Sequence, residues 1–368
     1  MIDTSLININ KNIKKNKETQ KRQEYQKTQK TQETQETEEK ETKICKYTDF
    51  LMNEIKVCNK IKNIPYYSNE FNIITDNNFI QIGEMRENRI NLSNINNRLQ
   101  NKYVLCKYLY SYEKCILFND FFYSLPTKKL IIFHILDSYT ILLNSLIKLR
   151  ENNICFFDIS FKNIIFNNNF KPILQNFKKS IISNKNIDES YILKVIEKIK
   201  ENEEIMYKPI EVYILFYIIQ NNEETMTYSL MELICDKFMQ NNPIIHFLLK
   251  NNKNIYNTEN CIKETYKNEC HTILKKYVNK SKSDIIRDII RYYDTWGLYE
   301  INALYINIIN DMIENNIFAN FSLNETFISK FIIFLIKNNH LNPLQRETVE
   351  DTLNNYNILF NSNTSPFL

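Results

Sequence analysis

Residues 154–166 read Ile-Cys-Phe-Phe-Asp-Ile-Ser-Phe-Lys-Asn-Ile-Ile-Phe. Asp158 and Asn163 stand out in this largely apolar stretch, and the three apolar residues after Asn163 have the character of a short buried strand. Immediately upstream, Lys128 to Arg150 carries the apolar recurrence of a long helix. Its most apolar part, Leu130 to Ile147, contains His134, Asp137, Ser138 and Asn144, which suits a buried helix better than a membrane span. An acid and an amide are thus expected on a loop between a buried helix and a strand. Asparagine is so common here that the spacing of the pair means little by itself; its position in the chain is what carries information.

Working outward, 368 residues are enough for one large domain or two, with a core that needs no disulfide staples. Only 2 glycines occur, Gly83 and Gly297, far apart, so a glycine-rich loop of the Walker or Rossmann kind cannot be built. The abundance of Asn, Ile, Lys, Tyr and Phe over Gly and Ala points to an AT-rich genome such as that of a protist or a giant DNA virus. A net charge of +4, spread without basic runs, signals neither nucleic acid nor an anionic membrane as partner. The 8 cysteines form no C-x-x-C pair and several lie in apolar runs, so free thiols in a reducing compartment are expected. With a polar opening in place of a leader peptide, the expected location is intracellular and cytoplasmic, in the host cytoplasm or virion if the source is viral.

Residues 1–43 divide from the rest by composition. From 11 to 43 they are Lys, Thr, Gln and Glu in near repeats with almost nothing to bury, the signature of a disordered tail or a solvated helix. Residues 49–63 have helical spacing, with Thr48-Asp49 available as a cap and Pro65 beyond the end. Strand-like runs follow at Phe71–Ile74, Phe79–Ile82 and Tyr103–Leu109. Beyond Ile187 the chain reads as mainly helical, including Ile285–Met312 and Phe327–Lys337, and residues 225–285 look like an inserted helical section. The fold class is α+β, a small mixed part before a large helical one.

The Asp158…Asn163 stretch resembles the protein-kinase catalytic loop H-R-D-L-x-x-x-N, and other parts of that family's pattern follow in order. Asn176-Phe177-Lys178 stands where the family has D-F-G, and Pro209-Ile210-Glu211 where it has A-P-E. Asp294-Thr-Trp-Gly-Leu298 resembles the D-x-W-x-L-G start of the family's central helix, and Leu341 to Thr348 its D-P-x-x-R-x-T segment. Glu54, followed by Pro65, is similar to the glutamate of the helix in the upper lobe. The resemblance implies a bilobal kinase-like fold, with a reduced β-containing N-lobe over 44–110 and a helical C-lobe over 111–368. It implies Asp158 as base for a protein hydroxyl, Asn163 and position 176 as Mg²⁺ ligands, and Lys162 as a charge neutraliser for the phosphoryl group. Lys46, or Lys43 beside it, becomes the partner of Glu54 in the ATP-pairing couple, Asp294 a buried acid holding the loop backbone, and Glu211 with Arg346 a buried ion pair.

Departures from the pattern decide what activity to expect. Asn176 replaces a chelating carboxylate, and a hard cation beside triphosphate wants charged oxygens. Lys178 replaces a glycine, Phe156-Phe157 replaces His-Arg, and no strands with a phosphate-pairing lysine are evident before Glu54. Weak or absent binding of ATP and Mg²⁺ is therefore expected. The reading is a catalytically impaired pseudokinase acting as a regulatory or docking module for a protein partner, without nucleic acid or membrane. The alternative is an active, divergent serine/threonine kinase.

Overall fold

The computed structural model describes residues 41–80, 103–111, 115–183, 188–201, 204–251, 258–318 and 327–361. It is an α+β protein, mainly helical, with small sheets. Strand β1 (Glu41–Lys46) is followed by helix α1 (Asp49–Ile61), β2 (Phe71–Asn72), β3 (Ile74–Ile80) and β4 (Tyr103–Tyr108). Next come β5 (Ile116–Leu117), α2 (Phe118–Ser124), α3 (Lys128–Glu151), β6 (Ile154–Cys155), β7 (Ile164–Phe166), β8 (Pro172–Gln175) and β9 (Ile181–Ile182). The remaining helices are α4 (Glu189–Glu197), α5 (Ile210–Gln220), α6 (Tyr228–Asn241), α7 (Pro243–Asn251), α8 (Thr258–Lys275), α9 (Lys282–Ile290), α10 (Trp296–Glu314), α11 (Phe327–Asn338) and α12 (Val349–Asn361).

Three sheets result, in the orders β1-β4-β3, β2-β8-β7-β5 and β6-β9. β1 is antiparallel to β4 from Glu41 opposite Tyr108 to Lys46 opposite Tyr103. The expected polar tail therefore ends earlier than composition suggests: residues 41–43 are strand, recruited by a partner some sixty positions away, and the rest of the tail lies outside the described residues. The expected strand near Phe79 is the end of β3, its last two residues also outside that range. Helix α1 forms where its spacing predicts, with the Thr48 hydroxyl accepting from the Leu51 N–H as N-cap. The predicted run from Ile285 to Met312 is instead two helices, because a tight turn over Tyr293–Thr295 separates α9 from α10.

Glycine scarcity has a visible consequence. Among the described residues the left-handed backbone positions carry no glycine, and five of them are asparagine: Asn153, Asn176, Asn222, Asn279 and Asn316. Asparagine tolerates this region better than most side chains. Asn153, Asn222 and Asn316 follow the ends of α3, α5 and α10, where glycine would ordinarily close the helix.

Two hydrophobic clusters meet at the stretch that opened the sequence analysis. Phe156 packs in the first, with α1, α3 and most of α10, whereas Phe157 packs in the second, with α4 to α6 and α9. Helix α10 runs between them: Trp296 belongs to the second cluster and Leu298 to the first. Among the described residues α3 is the helix long and apolar enough to cross a membrane, yet it packs against α10, α12, β6 and β8. At the start of α10, a Cβ on Gly297 would stand 2.6 Å from the Phe156 carbonyl oxygen.

That contact yields a sign prediction. Helix propensity favours Ala over Gly by about 1 kcal/mol, while overpacking costs about 1–3 kcal/mol. The obstacle here is backbone and cannot swing aside, so Gly297→Ala is expected to lower stability in urea unfolding by roughly 1–2 kcal/mol. A stabilised variant would show that α10 and the loop can separate freely.

Candidate functional site

The loop between β6 and β7 is built around Asp158, whose backbone takes a left-handed φ of 78°. That conformation costs a non-glycine residue roughly 1–3 kcal/mol and persists only where the surroundings fix it. Here they do. The Asn163 side-chain amide donates to the Asp158 carbonyl at 2.6 Å, and the next backbone N–H, of Ile159, donates to the Glu300 carboxylate of α10 at 2.5 Å. The Asp158 carboxylate is 6 % exposed and both its oxygens are engaged. Lys179 Nζ lies 3.0 Å from Oδ2 and Lys208 Nζ 3.3 Å from Oδ1.

Both lysines bridge onward. Lys208, 1 % exposed, also meets Glu300 at 3.0 Å and stands 4.4 Å from the Phe157 ring centroid. Lys179 reaches Glu204 at 2.7 Å. Burial acts to lower the Lys179 pKa, but the charges of Asp158 and Glu204 outweigh it, and the net shift is upward. Burial pushes the Glu300 carboxyl up to about 7, opposed by Lys208 and the Ile159 N–H and reinforced by the charge of Asp158.

The turn after β8 faces this loop. Asn176, also left-handed at φ 64°, donates its side-chain amide to Asn163 Oδ1 at 2.9 Å. Phe177 inserts between Phe156 and Phe71 in the first cluster, with ring centroids 5.0 and 6.1 Å away. The Lys178 carbonyl accepts from the Asn53 amide of α1 at 3.2 Å and from the Tyr191 hydroxyl, and the Ser180 carbonyl accepts from Asn53 at 2.8 Å. The segment is thereby fastened to α1 and α4. Glu54, 2 % exposed on α1, faces it. Burial raises its carboxyl to about 7, with the Lys178 ammonium, the Phe177 N–H and Lys43 pulling the other way.

Glu211 and Arg346, 135 positions apart, form a bidentate pair with both N···O distances 2.7 Å. The guanidinium also donates to Thr295 Oγ1 and to the carbonyls of His340 and Leu341, so each of its five N–H groups has an acceptor. Three other sequence-based expectations need correction. Asp294 is exposed, and the buried acid holding the loop backbone is Glu300, six residues further into α10. Lys162 is exposed with its ammonium 5.5 Å from the Phe161 centroid, and the lysines against Asp158 are Lys179 and Lys208. Of the two lysines expected near Glu54, Lys46 is exposed at the end of β1, whereas Lys43 does act on Glu54, less strongly than Lys178. The sequence did carry one signal for Glu300, a lone acid in the apolar run from Trp296 to Ile306. Nothing local marks Lys179 or Lys208, in a chain where lysine is common.

The donors expected to hold Mg²⁺ do not fit it. Asn163 and Asn176 are neutral amides bonded to one another, and the one carboxylate beside them, Asp158, is held by two ammonium groups. Among the described residues no cluster of three or more His, Cys, Asp or Glu side chains could bind a metal ion. Comparison of the sequence with known protein families and with curated proteins finds no match.

Two outcomes follow from these charges. Removing Arg346 alone strands a buried carboxylate, so Arg346→Met should cost about 3–5 kcal/mol in denaturant unfolding. The double variant Glu211→Leu/Arg346→Met should recover much of that loss, and additivity of the two single losses would refute the pairing. For Glu54, the folded state keeps a proton that the unfolded chain releases near 4.5, so stability should fall as pH rises from about 4.5 to 7. Glu54→Gln should flatten that slope and stabilise the protein above pH 7 by roughly 2–3 kcal/mol; an unchanged pH profile would show the carboxylate is solvated.

Proposed function

We propose that this chain is a kinase-like protein that has lost efficient phosphotransfer and acts as a regulatory or docking module. In this reading β1, β3, β4 and α1 form a reduced upper lobe, the helices from α3 onward form the lower one, and Asp158, Asn163 and Asn176 line the junction. The order of Glu54, Asp158, Asn163, Asn176, Glu211 and Arg346 along the chain, together with the contacts they make, supports the scaffold half of the proposal.

One observation carries the functional half: Asp158, the one carboxylate where the resemblance calls for metal ligands, is held by two ammonium groups, and Asn163 Oδ1 already accepts from the Asn176 amide. A divalent ion placed there would displace that bond and find no free carboxylate to neutralise it. Asp158 would also have to leave an ammonium partner to accept a proton from a substrate hydroxyl. Losing even roughly 4 kcal/mol of transition-state stabilisation lowers a rate about a thousandfold.

The test combines binding and turnover. Titration with ATP and Mg²⁺ or Mn²⁺ should leave the melting temperature without a metal-dependent rise, since only a ligand that prefers the folded state moves it. No labelled phosphate should pass from ATP to the chain itself or to generic protein substrates. Metal-dependent transfer that disappears in Asp158→Ala would instead establish the active, divergent kinase.

A further inference from the structure

A second group of chemically competent side chains lies on the sheet above Glu54. Cys45 of β1 is opposite Val104 and Cys106 of β4 is opposite Lys43, so the two cysteines leave the same face of adjacent strands, one residue pair apart. Their thiols are close enough for each to act on the other's ionisation. Cys106 is fully buried, whereas Cys45 is only partly buried. The Tyr108 hydroxyl and the ammonium groups of Lys178 and Lys43 act on the Cys45 sulfur as well. These donors and cations outweigh its partial burial and lower its pKa to about 6. Burial and the neighbouring Cys45 and Glu54 charges instead push Cys106 upward. One thiol is thus accessible and thiolate-prone while its neighbour is enclosed and protonated, the asymmetry of an attacking and a resolving cysteine.

We infer that Cys45 and Cys106 form a peroxide-sensitive dithiol that closes reversibly to a disulfide. Cys45 Sγ attacks the O–O bond of hydrogen peroxide, becoming a sulfenic acid as one water leaves. The Cys106 thiol then attacks Cys45 Sγ; the S–S bond forms, the S–OH bond breaks, and the hydroxyl departs with the Cys106 proton as a second water. Two thiols lose two electrons and two protons, and one peroxide becomes two waters. Diagonal cross-strand positions lie about 7–8 Å apart, just beyond the Cα separation that a disulfide spans without backbone movement. Closure therefore needs a small slide of β1 along β4, which is open to it because β1 is an edge strand, paired on one side only among the described residues. The other thiol contact, Cys235 with Cys270, has both members fully buried and offers peroxide no comparable entry.

The full chain would be exposed to hydrogen peroxide near neutral pH, quenched in acid, alkylated under denaturing conditions and mapped by peptide mass spectrometry. The expected result is joint loss of both thiols in a Cys45–Cys106 cross-link that dithiothreitol reverses. Cys106→Ser should leave a Cys45 sulfenic acid that dimedone traps, and Cys45→Ser should leave Cys106 alkylatable. The inference fails if Cys106 in the unaltered protein stays reduced while Cys45 oxidises, if Cys45 joins any other cysteine, or if both remain free. The cross-link map of the unaltered chain decides the matter even where a variant folds poorly.

Discussion

A carboxylate with no solvent exposure, Glu300, sits in the second turn of the largely buried helix α10 and holds the rest of the site in place. Leaving it charged without partners would cost several kcal/mol, and the partners it has are the Ile159 N–H and the Lys208 ammonium. The first belongs to the loop that carries Asp158 and the second to the segment just before α5. One buried acid therefore fixes the relative position of three stretches that are far apart in sequence. The strained backbone of Asp158 is tolerable because this anchor and the Asn163 bond determine it from both sides.

The same logic of satisfied burial recurs at Arg346. Its guanidinium ties the residues after α11 to the start of α5 and to the turn before α10, with each N–H accepted and the plane 4.9 Å from the Tyr299 ring centroid. Between these two polar nodes lie the hydrophobic clusters, and the loop at 156–163 occupies the place where the clusters touch. A site at such a junction is held rigid on its protein side by packing from both clusters.

Charge balance also shapes the surroundings of Asp158 and Glu54. Around Asp158 the lysines come from the segment between β8 and α5, not from the loop itself, and they enclose the carboxylate instead of leaving an oxygen open. Across from it, the Asn176 amide donates to Asn163 Oδ1, while its own Oδ1 is buried without a partner among the described residues. Near Glu54 the balancing cation is Lys178, at the position where the family's flexible glycine would be.

Much of the frame was legible in the sequence because it depends on local periodicity and on caps. Helix α1 with Thr48, the long helix α3 and the strand after Asn163 follow from residue type and order, whereas the pairing of Glu211 with Arg346 was implied by the family resemblance alone. Where the chain failed to reveal itself, the deciding contact was distant. Three polar residues became the start of β1 only because β4 supplies their hydrogen bonds. Asp294 and Lys162 carry the right charge in the right neighbourhood, but their side chains face solvent, and Glu300, Lys179 and Lys208 take those roles. Sequence fixes which groups are available and roughly where along the backbone they lie. Which of them becomes buried against which other, and hence which charge is strong enough to matter, is set by three-dimensional packing, since electrostatic effects depend on separation in space and on the exclusion of water.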